Sequence, residues 1–352
     1  MTSDVYDLGL RSTRDRHPDA GGPQGDVMVE TVLVTGGAGY IGAPLCEELL
    51  AQGKAVRALD SLLHGQADIA ADLRAKGVTL VEGDLRDQAA RAEALQGADA
   101  VVHLGAIVGD PACALDPELS EDVNVRASHD LIDEAAAAGV QRWIMASTCS
   151  NYGRMADPTV PITEEGELAP VSLYARQKVG VEQRLMTEDF GQMIPTCLRF
   201  ATVYGVAPRM RFDLTVNEFT RDLWADRELE VFGEQFWRPY VHVKDAGRGV
   251  VAALTADPAI AGKQVFNVGR SGENYRKLDL VHEIGRQTDR GTVSYVKRDE
   301  DPRDYKVSFD KIREVLGFET LMTVPDGIGE ILRGLDEGVF GDPFAGKFKN
   351  IP

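Results

Sequence analysis

The sequence predicts an α/β protein with a doubly wound parallel sheet and a smaller C-terminal domain interleaved with the sheet domain. Two observations predict this fold. Short apolar runs alternate with helical patterns from Glu30 to about residue 200, and a glycine-rich turn directly follows the first apolar run. Strands that are covered on both faces read as continuous apolar runs, so this alternation is typical of a parallel sheet between two helix layers.

The individual elements follow from apolar runs and from helical spacing. Strands are predicted at residues 31–35, 55–60, 78–81, 100–104, 143–146 and 196–200. Helices are predicted at residues 43–51, 118–138 and 173–189, where apolar side chains recur every three or four positions. The remainder is less regular and contains a predicted strand at 264–268 and predicted helices at 278–286 and 310–316.

These elements divide the 352-residue chain into two domains and a tail. The sheet domain is expected to contain residues 30–200 and about 239–270. The smaller domain is expected to contain about 201–238 and 271–348. Residues 1–29 mix Asp, Arg, Gly and Pro without periodicity, so we expect a flexible tail there.

Composition limits the classes of partner. The formal net charge is −18 at pH 7 and repels polyanions, so we expect neither nucleic acid nor a membrane surface as a partner. No apolar stretch approaches the roughly 20 residues that span a bilayer, which predicts a soluble, cytoplasmic protein. The four cysteines lie far apart without a CxxC pair, so we expect free thiols and no metal site. An anionic substrate would require a local cluster of arginines.

A glycine-rich turn, V-T-G-G-A-G-Y-I-G, joins the first predicted strand to the first predicted helix. Gly36, Gly39 and Gly42 lack side chains, so backbone amides can approach a pyrophosphate at the helix N-terminus. The intervening Tyr40 and Ile41 are assigned to the same cofactor site. The turn therefore predicts a dinucleotide-binding, Rossmann-type sheet.

An acidic residue at the end of the second predicted strand completes this pattern. Asp60 follows the turn by about 20 residues, where its carboxylate would accept hydrogen bonds from the adenosine ribose hydroxyls. Its negative charge would repel a 2′-phosphate, which favours NAD over NADP. Arg57 and Arg74 leave NADP as an alternative.

Two further strand ends fit the same cofactor. Asp84 and Leu85 follow the third predicted strand and are expected to bracket the adenine ring by a hydrogen bond and an apolar contact. Small residues after the fourth strand let the backbone lie against the cofactor. These residues are Leu104, Gly105 and Ala106.

A tyrosine and a lysine on a predicted helix are candidate catalytic residues. Tyr174 and Lys178 lie four positions apart in L-Y-A-R-Q-K, so a helix places them on one face. A free phenol has a pKa near 10 and is a weak base at neutral pH. The Lys178 ammonium and a positive nicotinamide ring would both lower the pKa of Tyr174. We therefore expect Tyr174 to act as a general base.

Together, these motifs resemble the extended short-chain dehydrogenase/reductases that act on nucleotide sugars, including UDP-galactose 4-epimerase-like enzymes. The resemblance extends from Val32 to about Gly317. Its motifs are T-G-G-A-G-Y-I-G, G-D-L, H-L-G-A, S-T-C-S-N-Y-G, Y-A-R-Q-K, L-R-F-A-T-V-Y-G and R-P-Y-V-H-V-K-D. It implies an NAD-dependent enzyme that binds a nucleotide diphosphate sugar and forms a homodimer through the helices predicted at 118–138 and 173–189.

The resemblance also implies roles for individual residues. Thr148, four positions before Tyr152, matches the family's catalytic Ser/Thr, and Lys178 would also hold the nicotinamide ribose. Asn124 matches an asparagine that contacts substrate or positions the site, and Arg238 matches an arginine that grips the nucleotide diphosphate. Arg303 matches a second residue that binds the diphosphate. Asn217 and Phe232 match two positions that line the nucleotide pocket.

The chain departs from the family pattern near its sixth predicted strand. In R-F-A-T, Thr202 stands where many family members have an asparagine, so a shorter hydroxyl takes the contact to the substrate phosphates. The nearby loop G-V-A-P-R-M-R-F-D supplies Arg209 and Arg211, which are expected to compensate or to recognise a further polar group. Each is alternatively a solvated loop charge, and Arg303 is alternatively a surface arginine paired with a neighbouring aspartate.

The residues after Thr148 distinguish the reactions found in this family. The dehydratase branch carries Asp-Glu where this chain has Cys149 and Ser150, so dehydration is disfavoured. The branch that inverts C3 and C5 has its cysteine at the position of Ser150, so Cys149 is interpreted as an inert neighbour of Thr148. Oxidation and re-reduction at C4 of the sugar fits best. An NAD(P)H-dependent 4-ketoreductase of a deoxysugar pathway is the alternative, followed by a non-catalytic cofactor-sensing protein.

Overall fold

A computed structural model describes residues 29–155, 157, 160–296 and 303–351. Its centre is a seven-stranded sheet in which every neighbouring pair is parallel, as the sequence predicts. The strands of this sheet are β1 Thr31–Thr35, β2 Ala55–Asp60, β3 Thr79–Glu82, β4 Ala100–His103, β5 Arg142–Thr148, β6 Ile194–Phe200 and β10 Gln264–Val268. Their order across the sheet is β3-β2-β1-β4-β5-β6-β10. The predicted tail, apart from Val29, lies outside the described residues.

Helices cover both faces of this sheet. The helices of the chain are α1 Gly42–Ala51, α2 Ala67–Ala75, α3 Gln88–Ala94, α4 Asp110–Leu115, α5 Pro117–Glu121, α6 Ala127–Ala137, α7 Leu173–Thr187, α8 Thr215–Trp224, α9 Val243–Thr255, α10 Pro258–Ala261, α11 Lys277–Gly285, α12 Asp310–Leu316 and α13 Val324–Asp336. Alternate residues of β1 supply the two cores, because successive strand side chains point to opposite faces. Val32 and Val34 pack with α1, α2 and α9, whereas Leu33 packs with α3, α6 and α7.

The smaller part of the fold contains two short sheets. Its strands are β7 Thr202–Tyr204, β8 Glu228–Phe232, β9 Trp237–His242, β11 Asn274–Arg276 and β12 Thr292–Val296. They form a three-stranded sheet, β11-β9-β7, and a two-stranded sheet, β12-β8. A third apolar core, shared by α8, α11 and α13, lies beside them. Residues 239–242 lie in β9 of the three-stranded sheet, and the predicted division of the chain into two domains stays a prediction.

The helix predicted at 118–138 is interrupted. α5 is followed by one π-helical turn, Asp122–Arg126, and then by α6. The outward faces of α6 and α7 are polar, and an ion pair between Arg184 and Asp133 (2.6 Å) joins the two helices. Homodimerisation through these helices therefore stays a prediction.

The described residues contain no helix that is both long enough and apolar enough to cross a membrane. In the same part of the chain, no group of three or more His, Cys, Asp or Glu side chains is arranged to hold a metal ion. All four cysteines are buried and free.

Candidate active site

The cofactor groove begins at the glycine-rich loop between β1 and α1. Gly36 has a φ of +69°, and a Cβ on Gly42 would lie 2.0 Å from the carbonyl oxygen of Gly36, so both positions require glycine. No side-chain hydrogen bond caps the N-terminus of α1, which leaves its backbone N–H groups to bind phosphate. The loop therefore fits the pyrophosphate of a dinucleotide.

The backbone fixes the carboxylate at the end of β2. Asp60 is 8% exposed, and its oxygens accept hydrogen bonds from the amides of Ala38 and Leu62, each at 2.9 Å. Burial raises the pKa of Asp60, and these two bonds and the charge of Arg209 oppose the rise. A carboxylate has about four acceptor sites, so Asp60 can still accept hydrogen bonds from ribose hydroxyls.

The two arginines that left NADP open are engaged elsewhere. Arg57 donates hydrogen bonds to the carbonyl oxygens of Glu93 (2.7 Å) and Ala94 (2.9 Å). Arg74 donates to the carbonyl oxygen of Leu80 at 3.3 Å. Main-chain groups thus hold both guanidinium groups, which supports NAD over NADP.

The residues after β4 lie against the glycine-rich loop. A Cβ on Gly36 would lie 3.0 Å from the nitrogen of Gly105. The Oγ1 of Thr35 accepts a hydrogen bond from the Gly105 amide at 3.0 Å, and the carbonyl oxygen of Thr35 accepts one from the Leu104 amide at 3.3 Å. The predicted segment from Leu104 to Ala106 therefore forms one wall of the groove.

The two residues predicted to bracket adenine are in different environments. Leu85 packs on Gly105, since a Cβ on that glycine would lie 2.8 Å from the Cδ1 of Leu85. Asp84 forms a two-point ion pair with Arg86, at 3.0 and 2.7 Å, and this partner lowers the pKa of Asp84. A hydrogen bond from adenine to Asp84 stays a prediction.

Tyr174 and Lys178 lie in the first two turns of α7. Ser172 caps this helix by accepting a hydrogen bond from the Ala175 amide, and the Nζ of Lys178 lies 5.9 Å from the ring centroid of Tyr174. Burial raises the pKa of Tyr174 and lowers the pKa of Lys178 to about 8. The expected lowering of the Tyr174 pKa is thus not produced by the protein alone, because burial outweighs the opposing charge of Arg211.

The end of β5 presents Thr148 and turns Cys149 into the core. The Oγ1 of Thr148 accepts a hydrogen bond from the Ser150 amide at 3.1 Å. Cys149 is 1% exposed, and its Sγ donates to the carbonyl oxygen of Arg199 at 3.2 Å. Burial raises the pKa of this thiol well above its ordinary value. Cys149 is therefore packed between β5 and β6, in keeping with an inert role.

A buried ion pair that sequence reasoning missed holds α7 against β5 and β6. Glu182 pairs with Arg199 and accepts a hydrogen bond from the Oγ of Ser147 at 2.6 Å. Glu182 is 2% exposed and Arg199 is 4% exposed. Glu182 follows Lys178 by four positions, so it shares the face of α7 that carries Tyr174. This ion pair fixes the rotation of α7 about its axis. The Tyr-x3-Lys-x3-Glu spacing in the sequence could have indicated that Glu182 lies on the same face.

Asn124 positions the loop after β4 and lies outside the cavities. Its Oδ1 accepts a hydrogen bond from the Ile107 amide at 2.8 Å, and its Nδ2 donates to the Ile107 carbonyl oxygen and to the Oε1 of Gln177, both at 3.0 Å. The residue is 3% exposed and lies in the π-helical turn. Such turns often occur at functional sites. Of the two roles implied by the resemblance, the structure shows the positioning role.

A cavity of about 580 Å³ opens beside the carboxyl end of the large sheet. It is lined by four of the predicted substrate residues, Thr202, Arg211, Arg238 and Arg303. Sequence reasoning missed other lining residues, among them Asp110, Ser150, Thr215, Lys277, Tyr305 and Asn350. Arginine and lysine outnumber carboxylates in this lining, so the cavity is locally basic within an acidic protein.

The arginines of this cavity are held by neighbours from different segments. Arg303 forms an ion pair with Asp110 at 2.9 Å, and Arg211 pairs with Asp213 at 2.9 Å. The guanidinium of Arg238 lies 5.2 Å from the ring centroid of Tyr305. Tyr174 is not among the residues that line this cavity, although the charges of Asp110 and Arg211 act on its pKa. The arrangement suits a diphosphate beside a reacting sugar.

A second cavity, of about 550 Å³, continues from the first. Both cavities are lined by Thr215 and Lys277. Phe232 lines the second cavity, and its role in a nucleotide pocket stays a prediction. Its other polar lining is largely acidic and consists of Glu218, Asp222, Glu228 and Glu230.

Asn217, which was expected in the nucleotide pocket, lines neither of the two cavities. It is fully buried, and its Oδ1 accepts a hydrogen bond from the Gly205 amide at 2.9 Å. Its Nδ2 donates to the Tyr40 hydroxyl (3.1 Å) and to the Arg211 carbonyl oxygen (2.8 Å). The spacing identified a polar residue near the site, but its amide group is used to hold the glycine-rich loop against the smaller part of the fold.

Arg209 is also absent from the lining of both cavities. It is 6% exposed, and its Nη2 donates a hydrogen bond to the Oδ1 of Asn350 at 2.7 Å. It is therefore neither a solvated loop charge nor part of the cavity that holds Arg211.

A family model supports this description of the site. The model of the NAD dependent epimerase/dehydratase family matches residues 32–269, which include the glycine-rich loop, Thr148, Tyr174 and Lys178. The chain belongs to this family. It is an NAD-dependent enzyme of the extended short-chain dehydrogenase/reductase type, as the motifs predicted. The glycine-rich loop and Asp60 fit this cofactor, since the N-terminus of α1 has no side-chain cap and can offer its backbone N–H groups to a pyrophosphate.

Individual members of the family are similar over most of the chain. A UDP-glucose 4-epimerase of Rhizobium meliloti strain 1021 is 29% identical over 317 residues, covering 82% of this chain and 92% of that protein. The structure of a Thermus thermophilus UDP-glucose 4-epimerase in complex with NAD has a TM-score of 0.76 and 25% identity, covering 87% of this chain and 99% of that one. A Streptomyces venezuelae dTDP-glucose 4,6-dehydratase, DesIV, has a TM-score of 0.79 and 25% identity, covering 90% and 100%.

Proposed function

We propose that this family member interconverts the C4 epimers of a nucleotide diphosphate sugar through a 4-keto intermediate. The observation that carries the proposal is the environment of Cys149, directly after Thr148. Its buried thiol and the neighbouring Ser150 occupy the two positions where the dehydratase pattern has Asp and Glu. Without that acid and base, the site keeps the groups for oxidation and reduction at one carbon.

The chain's residues divide the work between binding and proton transfer. Arg211, Arg238 and Arg303 hold the diphosphate in the basic cavity. The Thr148 hydroxyl orients the sugar oxygen at C4. The Tyr174 hydroxyl takes the proton from that oxygen and later returns it.

The cofactor would supply the hydride acceptor, which the side chains of the protein lack. Bound NAD would supply reversible hydride transfer at C4 of the sugar, with no net oxidation, and the positive charge of its nicotinamide ring would favour the phenolate of Tyr174. Burial alone raises the pKa of Tyr174. Lys178, with a pKa of about 8, would hold the nicotinamide ribose and donate toward Tyr174.

The absorbance of reduced nicotinamide tests this proposal. The enzyme is incubated with UDP-glucose, UDP-glucuronate or dTDP-glucose, and epimer formation is followed by chromatography. We expect turnover with no added cofactor and no net change in the nicotinamide band. Tyr174→Phe protein serves as the control for background conversion.

Stoichiometric consumption of NADH or NADPH with a 4-keto sugar would contradict the epimerase assignment. It would indicate the alternative, a 4-ketoreductase. Absence of both activities, with NAD bound, would favour the cofactor-sensing alternative.

A further inference from the structure

The C-terminal clasp, residues 348–351, crosses the site from the smaller part of the fold to the large sheet. Phe348 anchors it, because its ring packs on Phe212 (5.5 Å between centroids) and its carbonyl oxygen accepts a hydrogen bond from the Phe212 amide at 2.9 Å. Asn350 makes the crossing. Its amide donates to the Oδ2 of Asp213 at 2.9 Å, and its Nδ2 donates to the carbonyl oxygen of Val108 at 3.2 Å.

Asn350 also holds Arg209 in place. Its Oδ1 accepts a hydrogen bond from the Nη2 of Arg209 at 2.7 Å. Arg209 is 6% exposed, and its Nε is buried without a hydrogen-bond partner. Within the described residues, Arg211 has the carboxylate of Asp213 as an ion-pair partner, whereas Arg209 has none. A buried charge needs a counter-charge, so the surroundings of Arg209 indicate an anionic ligand.

The segment that carries Arg209 runs along the cofactor groove. At its start, the Tyr40 hydroxyl of the glycine-rich loop donates to the Gly205 carbonyl oxygen at 2.6 Å, and the Tyr40 ring packs with Ala207. At its end, Arg209 is linked through Asn350 to Val108. The segment from 205 to 209 therefore extends from the glycine-rich loop toward the loop after β4.

Electrostatics agree with this placement. Arg209 is close enough to Asp60 that its charge opposes the burial effect on the pKa of that carboxyl. Burial and the neighbouring Arg211 lower the pKa of Arg209 itself to about 10, because they outweigh the charges of Asp213 and Asp60, which act in the opposite direction.

We propose that Arg209 binds the pyrophosphate of NAD and that Asn350 is the positioning residue that holds it there. The C-terminal clasp then closes over the bound cofactor. Arg209 would belong to the cofactor side of the site, whereas Arg211, two residues further, belongs to the substrate cavity. Retention of the cofactor is the physical consequence, since the clasp joins both walls of the groove.

Cofactor binding measured without any sugar tests the assignment. Arg209→Ala, Arg209→Lys and Asn350→Ala proteins are stripped of cofactor, and NAD binding is measured by calorimetry. We expect Arg209→Ala to bind NAD at least tenfold more weakly, about 1.4 kcal/mol. Arg209→Lys should lose less, because it keeps the charge without the two-point fork. Asn350→Ala should fall between Arg209→Lys and the unchanged protein.

The matched control is Arg286→Ala, at an exposed arginine that follows α11 directly, pairs with Glu283 and should leave NAD binding unchanged when substituted. Thermal unfolding without cofactor shows whether each variant folds. If Arg209→Ala does not fold, Arg209→Gln and Arg209→Lys decide the question. Weak NAD binding confined to the uncharged variant would support the role of the charge.

The pattern of loss distinguishes the pyrophosphate from other anions. Equal weakening of NAD and ADP-ribose by Arg209→Ala supports a pyrophosphate contact. Weakening of NADP alone would assign Arg209 to a 2′-phosphate and overturn the proposal. Unchanged NAD affinity would overturn it as well. These outcomes do not depend on which sugar the enzyme converts, because no sugar is present.

Discussion

The cofactor side and the substrate side of the site are built differently. The cofactor side consists of the ends of four strands, β1 to β4, which lie side by side in the large sheet and fall within residues 36–106. The substrate side is assembled from segments far apart in sequence, around residues 110, 211, 238, 303 and 350. The difference shows that one sheet edge supplies most of the cofactor groove, with Arg209 proposed as an addition from outside the sheet, whereas the substrate cavity exists only after the smaller part of the fold has packed.

The largest effect on turnover is expected from a substitution of Tyr174, which is proposed to act beside both the cofactor and the sugar. Tyr174→Phe should lower turnover by about 10²- to 10⁴-fold, because the proton acceptor is lost while the ring remains. NAD and nucleotide binding should stay unchanged. Steady-state kinetics measure turnover, and calorimetry measures the binding of NAD and of the nucleotide. Near-normal turnover would remove Tyr174 from the mechanism.

A glycine substitution should damage the cofactor side first. An alanine Cβ at Gly42 would lie 2.0 Å from a carbonyl oxygen, so the glycine-rich loop must move. We expect NAD affinity to fall by roughly a hundredfold or more, about 2.7 kcal/mol. The control is Gly285→Ala, in α11, where a Cβ meets nothing within 4 Å. Equal NAD binding by the Gly42 and Gly285 variants would contradict the close approach.

An arginine substitution should damage the substrate side alone. Arg238→Ala removes a charged hydrogen-bond donor of the cavity, so nucleotide diphosphate affinity should fall about tenfold to a hundredfold. NAD content should not change. Calorimetry with UDP, and absorbance of the released cofactor, measure both quantities. Loss of NAD from this variant would show that the substrate side and the cofactor side of the site are not independent.

The titration of Lys178 gives a smaller, pH-dependent effect on stability. Burial lowers its pKa from 10.5 to about 8, so the unfolded chain binds more protons than the folded chain between these pH values. The free energy of unfolding should therefore rise with pH across this window, relative to Lys178→Met. Urea unfolding of cofactor-stripped protein at pH 7.5 and pH 9.5 measures the difference. A constant difference between the two proteins would show that Lys178 is not buried as described.

The smallest effect is expected at Cys149. Its thiol faces the core, so Cys149→Ala should change turnover by less than about threefold, while a cavity costs roughly 1 kcal/mol of stability. Thr148→Val is the matched variant, and it should lower turnover strongly. The reverse result would make the cysteine a functional group.

Most of the large sheet and its cofactor residues were predictable, because each lies at a fixed place after a buried strand. Gly36, Gly42, Asp60 and Gly105 needed only the pattern of strand, turn and helix. Lys178 was predictable for the same reason, since helical spacing alone places it beside the Tyr174 ring.

The smaller part was not predictable in the same way. α13 has the sequence V-P-D-G-I-G-E-I-L-R-G-L-D, whose proline and glycines argue against a helix. It forms because Val324, Ile328, Ile331 and Leu335 bury one apolar face in the third core. Tertiary packing here outweighs local propensity.

The surroundings of individual site residues were not predictable for a related reason. Asn217 has the right residue type at a plausible position, but three neighbours from other segments use its amide group. Asn350 gave no signal, because its role depends on contacts to Val108, Arg209 and Asp213, more than a hundred residues away.

The direction of the Cys149 side chain limits how this enzyme can be redesigned. Replacing Cys149 and Ser150 by Asp and Glu would copy the dehydratase pattern in sequence only. A carboxylate at position 149 would face the carbonyl oxygen of Arg199 in the core, a repulsive contact that costs several kcal/mol, whereas position 150 opens into the cavity. We therefore expect that a change of the reaction to dehydration requires the turn after β5 to be rebuilt, and that exchanging Cys149 and Ser150 alone does not produce it.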